Sequence, residues 1–89
     1  MAIPIIIYGK TGCNDTERSR MHMQARGIPF TEINIDHDPP ADQFVTFYNG
    51  GSRTTPTIII GEGKRRVVLV EPTDLELDEE LARWASDEG

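Results

Sequence analysis

The stretch Ile3-Pro4-Ile5-Ile6-Ile7-Tyr8 is an apolar run rich in β-branched residues, with no polar alternation. A strand with one wet face alternates with period two, so this run reads as a strand buried on both faces. Helices must then cover both sides of the sheet it joins, which restricts the chain to an α/β layered architecture. Pro4 sits near the start of the run, where a missing N–H is tolerated. The chain has 89 residues, enough for one compact core. A single domain over residues 1–89 is expected, with no internal repeat, linker or low-complexity segment.

The other elements follow from local signals. Gly9-Lys10-Thr11-Gly12 is a turn, and helix formers begin at Cys13, with Met21, Ala25 and Ile28 spaced for one apolar face and Gly27 as the stop. Phe30 to Ile35 alternates, placing Thr31, Ile33 and Ile35 on one face of a second strand. Asp38 as N-cap and Pro39 at the first helical position start a second helix, which carries Phe44, Val45, Phe47 and Tyr48 and ends at Asn49-Gly50-Gly51. Thr57–Ile60 and Val67–Val70 are short β-branched runs joined through Gly61-Glu62-Gly63-Lys64, as in an antiparallel hairpin. Glu71-Pro72 ends the sheet. Thr73 and Glu76 form a capping box, and Leu77, Leu81 and Trp84 mark the apolar face of a last helix. Asp78-Glu79-Glu80 is expected on its solvated side, and Ser86-Asp87-Glu88-Gly89 is expected to fray. The order β-α-β-α-β-β-α gives a four-stranded mixed sheet flanked by helices.

Charge and cysteine usage exclude several functions. A net charge of −6 and a pI near 4.7 argue against nucleic-acid or anionic-membrane surfaces, which need clustered cations. The N-terminal apolar run is too short for a membrane span or a signal-peptide core. One cysteine rules out an internal disulfide and fits a reducing compartment, so a cytoplasmic location is expected. Cys13, His22 and His37 are too few and wrongly spaced for a four-ligand zinc site, so no metal is expected. His22, flanked by Met21 and Met23, is read without a role.

The chemistry converges on Cys13. A helix N-terminus favours an anion and lowers a thiol pKa from its free value of about 8.5, which makes a nucleophilic thiolate. Lys10 in the same turn adds positive charge, while Asp15 and Glu17 in the first helical turn oppose it. A buried, inert cysteine is the alternative, but Cys13 follows Gly12 in a polar loop rather than lying on an apolar face. Pro56, preceded by Arg53-Thr54-Thr55, opens the third strand either as an edge device or through a cis bond.

Three segments in order, Lys10-Thr11-Gly12-Cys13-Asn14-Asp15-Thr16, Arg53-Thr54-Thr55-Pro56 and Glu71-Pro72-Thr73-Asp74, resemble the glutaredoxin family of the thioredoxin superfamily over almost the whole chain. Asn49 to Thr57 and Val70 to Thr73 are similar in particular to its bacterial glutaredoxin-like and mycoredoxin-like branch. The resemblance implies a thioredoxin-like fold with Cys13 as nucleophile and Pro56 as the cis-proline. It further implies that Thr55 pairs through its backbone with the cysteinyl part of glutathione, that Lys10 and Arg53 hold a glycyl carboxylate, and that Thr73 and Asp74 take the γ-glutamyl end. Glu71-Pro72 stands where the family has a Gly-Gly pair. Thr16 stands in place of the second cysteine of a Cys-x-x-Cys motif, next to the active sulfur, so only a monothiol route with an outside resolving thiol is open. Nor is this the Cys-Gly-Phe-Ser sequence of the cluster-sharing monothiol members, and no bound cofactor is expected.

The leading expectation is therefore a monothiol thiol–disulfide oxidoreductase. Glutathione or a similar low-molecular-weight thiol is its co-substrate and thiolated proteins its clients, and the chain is a monomer with no nucleic-acid or membrane partner. Two other readings stand beside it. One is a redox-inactive thioredoxin-fold binding module. The other is an arsenate-reductase-like protein, suggested by Thr16, Arg18 and Arg20 after the cysteine.

Overall fold

A computed structural model describes residues 3–88 of the chain. Its elements are β1 (Ile5–Gly9), α1 (Asn14–Ala25), β2 (Thr31–Asn34), α2 (Pro39–Tyr48), β3 (Thr57–Ile60), β4 (Val67–Val70) and α3 (Asp74–Glu88). Short 3-10 turns cover Ile35–His37 and Gly63–Arg65. The strands form one mixed sheet in the order β2-β1-β3-β4. β1 pairs parallel with β2, Ile7 opposite Glu32, and antiparallel with β3, Ile7 opposite Ile58; β3 and β4 are antiparallel, Ile58 opposite Leu69. This is the α/β thioredoxin-like arrangement expected of the sequence.

The two apolar strands take the sheet's centre, as their composition demands. Every residue of β3 is buried, and Ile5 and Ile7 of β1 are too. Ile5, Ile7, Ile58 and Ile60 meet Met23 of α1 and Leu77 of α3 on one face. Tyr8, Ile33 and Ile35 meet Ala41 and Val45 of α2 on the other. Because neighbouring strand residues point to opposite faces, β1 serves both cores, with Ile5 and Ile7 in one and Tyr8 in the other. Burying each such side chain contributes about 1.5–3 kcal/mol.

Several local expectations change. β1 begins after Pro4, which has no N–H to give the ladder, although its carbonyl still accepts from Gly61 N at 2.8 Å. β2 stops at Asn34 because the Asn34 side chain accepts from Asp36 N and starts a turn; Ile35 leaves the sheet and is buried under α2. The buried face of α1 is Thr16, Ser19 and Met23, while Met21 is 58% exposed. Small side chains face the sheet there because α1 approaches β1 closely: a Cβ at Gly9 would lie 2.3 Å from Thr16 Cγ2. Both expected caps form. Asp38 accepts from Ala41 N, and Thr73 and Glu76 exchange hydrogen bonds of 3.1 and 2.8 Å.

The acidic run of α3 is not simply solvated. Glu80 is buried, accepts from Trp84 Nε1 at 3.2 Å and pairs with Arg83; Asp78 pairs with His22. Trp84 packs against the core, as expected from its spacing, and over Gly61, with the Arg65 guanidinium 5.0 Å from its ring. α3 continues through Glu88 where fraying was expected, and Gly89 lies outside the described residues. No helix among the described residues is long and apolar enough to cross a membrane.

Candidate functional site

The site lies where the C-terminal end of β1 meets the start of α1. Gly9 ends the strand, Gly12 takes the left-handed conformation (φ 76°), and Cys13 N donates to Lys10 O at 3.3 Å, closing the turn. Cys13 then occupies the N-cap position with extended backbone, and its carbonyl accepts from Glu17 N at 3.1 Å. The first N–H groups of α1 are thereby left open around its sulfur. Cys13 is a half-buried free thiol.

The loop before β3 faces it. The Thr55–Pro56 bond is cis, which decides between the two readings of Pro56. Thr55 Oγ1 donates to Cys13 Sγ at 3.1 Å, and the thiol reaches Thr55 O at 3.5 Å. Pro56 O accepts from Glu71 N at 2.9 Å, tying this loop to the turn after β4. Glu71 has a φ of 48°, the left-handed conformation that a glycine adopts most readily, at the position of the expected Gly-Gly pair.

Burial pushes the Cys13 thiol up, but hydrogen bonds outweigh it. Those from the Thr16 and Thr55 side chains and from the Thr16 and Asp15 backbone leave its pKa below the ordinary thiol value. Thr16 Oγ1 is buried and has no other partner, so it is available to the sulfur. The depression thus comes from α1 and Thr55 rather than from Lys10, whose side chain is exposed and makes no ion pair among the described residues. The opposing carboxylate of Asp15 is itself held by Arg18 Nη1 at 2.9 Å.

The remaining expected residues flank this centre on two sides. Arg53 is not free: its Nη2 donates to Asp36 Oδ1 at 2.7 Å and its Nε to Asp42 Oδ1 at 2.9 Å. Asp36 Oδ2 accepts from Thr11 N at 3.1 Å, in the Cys13 loop itself. The Arg53 guanidinium, with the Thr11 N–H beside it, holds the Asp36 carboxyl below the usual carboxylate range. On the other side Thr73 caps α3, so its N–H and hydroxyl are already engaged by Glu76. Asp74 faces α1, 3.7 Å from Arg18 Nε and 3.6 Å from His22 Nδ1.

Three residues around the site were not legible as such in the sequence. Arg18 joins Asp15, Asp74 and the Pro72 carbonyl, the last at 3.0 Å, fastening α1 to the turn before α3. His22, read without a role, lies between Asp74 and Asp78, with its Nε2 2.8 Å from the latter. Asp36 links the Cys13 loop to Arg53. Only the spacing of Asp15 and Arg18, three apart on a helix, signals one of these contacts in advance. Arg20, which with Arg18 suggested an arsenate-reductase-like protein, grips Glu32 of β2 through two bonds of 2.7 and 3.0 Å. Both guanidiniums are thus engaged in fastening the scaffold.

Known proteins resemble this chain in sequence and in fold. The family model described as glutaredoxin matches residues 5–64. Two relatives from Mycobacterium tuberculosis strains, both bearing the name glutaredoxin, are 31% identical over 81 residues, covering 91% of this chain and 93% of theirs. Among solved structures, the glutaredoxin-like NrdH-redoxin of Escherichia coli is 28% identical, with a TM-score of 0.56 over 72% of this chain and 79% of its own. The glutaredoxin of Archaeoglobus fulgidus shares the fold with a TM-score of 0.60 at 22% identity, covering 84% of this chain and 82% of its own.

Proposed function

Because this chain belongs to the glutaredoxin family of thiol oxidoreductases, we propose that it is a monothiol thiol–disulfide oxidoreductase acting on mixed disulfides between proteins and a low-molecular-weight thiol. The observation that carries this reading is the Cys13 sulfur, its pKa lowered at the start of α1 and placed 3.1 Å from the Thr55 hydroxyl beside the cis-proline.

In the first step the Cys13 thiolate attacks the small-thiol sulfur of a mixed disulfide. A Cys13–small-thiol disulfide forms, and the client leaves as its thiolate. A second small thiolate then attacks that bond, releasing the symmetric disulfide and restoring Cys13. In this reading Thr55, next to Pro56, pairs through its backbone with the cysteinyl part of the bound thiol. Lys10 and Arg53 line one end of its site, and Thr73 and Asp74 the other. Thr16 supports the thiolate and, being no thiol, cannot resolve the adduct. Glutathione is the reference co-substrate, and no bound cofactor takes part. The reducing cytoplasm, a monomeric state and thiolated protein clients fit this chemistry.

Turnover of a glutathionylated peptide in excess glutathione tests the reading. Wild type is expected to accelerate release of the peptide, and Cys13→Ser to abolish the acceleration. Equal, uncatalysed release by both overturns it and leaves a thioredoxin-fold binding module.

A further inference from the structure

The charge arrangement at Arg53 bears on which thiol this site takes. Arg53 is the guanidinium on the cis-proline loop, two residues from Thr55. Asp36 grips it at 2.7 Å and Asp42 at 2.9 Å. Neither carboxylate is incidental to the site. Asp36 also accepts from Thr11 N in the Cys13 loop, and Asp42 also accepts from Thr46 Oγ1 at 3.2 Å, which holds each in place. This end of the site therefore sets one guanidinium against two carboxylates, so its positive charge is already compensated. A carboxylate arriving here meets a guanidinium whose Nε–H and one Nη2–H are already directed at oxygens, with two anions beside it. The attraction it would feel toward a free arginine is largely offset by repulsion.

We propose that Asp36 and Asp42 act as specificity-determining residues, so that the site does not select for a carboxylate and takes a small thiol with a neutral, hydrogen-bonding end about as readily as glutathione. This rests on the redox reading of Cys13 given above. In each exchange the Cys13 thiolate forms a bond to one sulfur of a disulfide while the other sulfur departs as thiolate. Electrons balance within the pair, and selectivity is carried by the non-reacting end of the thiol.

The probe is a competition between glutathione and its glycinamide, which differ only in replacing the glycyl carboxylate by an amide. Reduced protein is equilibrated with equal amounts of both disulfides and both thiols, and intact mass reads the ratio of the two Cys13 adducts. This ratio is defined at equilibrium and needs no turnover. In wild type the glutathione adduct should exceed the glycinamide adduct by no more than about twofold, since an exposed, already neutralised patch offers little. Asp36→Asn and, separately, Asp42→Asn each remove one anion while keeping an oxygen acceptor for Thr11 N or Thr46 Oγ1. Each should move the ratio toward glutathione, by up to about fivefold, the range of an exposed ion pair. A wild-type preference for glutathione of more than about twofold, or a ratio unmoved in both variants, overturns the proposal while leaving the oxidoreductase reading intact. Failure of Cys13 to form either adduct while it remains open to alkylation overturns both.

Discussion

Thr55 contacts the reactive sulfur twice, through a hydroxyl that donates to it and a carbonyl that accepts from the thiol. Only the first favours the thiolate, so the two contacts separate on ionisation. Thr55→Val keeps the shape and the backbone but removes the donor. A hydrogen bond to a charged acceptor contributes about 1.5–3 kcal/mol, so alkylation of Cys13 at neutral pH should slow by roughly tenfold. Measured against pH, wild-type alkylation should rise to its plateau at a lower pH than for a free thiol, and the Thr55→Val curve should move upward. The sign follows from the lowered pKa: a thiolate held by the folded state is populated above that pKa and lost as pH falls through it. Unchanged curves would mean that Thr55 does not hold the anion. The sequence shows Cys13, Thr16 and Thr55 but not how they divide this work. Lys10, three residues earlier in the same turn and carrying a full charge, was expected to add to the effect of the helix start, yet neutral donors at hydrogen-bond distance dominate because an exposed ammonium is screened by water.

At the scale of elements, the turn between β4 and α3 shows what sequence leaves open. The chain has Glu71 where the family has glycine, and Glu71 keeps the glycine-like backbone, with its N–H on Pro56 O. A non-glycine residue in this region costs about 1–3 kcal/mol, and a glycine introduced there loses about 0.4–1 kcal/mol through the unfolded chain. Glu71→Gly should therefore stabilise the protein by about 1 kcal/mol, raising the melting temperature by about 4–8 °C for a domain of this size. Calorimetry checks it, and a lowered Tm would show that the Glu71 side chain contributes more than its backbone costs. Caps were legible because Asp38 and the Thr73–Glu76 pair act within one turn of chain. The buried face of α1 was not, because close approach of Gly9 to Thr16 selects small side chains there and leaves Met21 in solvent.

At the scale of the molecule, the order of elements and the mixed sheet were legible because long apolar runs can be satisfied only at the centre of a covered sheet. The ion-pair partners were not: Arg53 with Asp36 and Asp42, and His22 with Asp74 and Asp78, join residues far apart in the chain. Their pairing follows from the tertiary arrangement, and no local pattern announces it. The fold as a whole sets a single sulfur opposite the cis-proline loop and fills the next helical turn with a buried hydroxyl, Thr16. With Thr16 there, the proposed chemistry has only the Cys13 thiol to use. Residues three apart on a helix are neighbours, so Thr16→Cys puts a second thiol beside the first. The decisive measurement is intact mass after exposure to glutathione disulfide and removal of excess reagent. The account predicts that wild type retains one glutathione adduct on Cys13, whereas Thr16→Cys expels it and closes an internal disulfide. A wild type that acquires no adduct, or a variant that keeps its adduct, would contradict it.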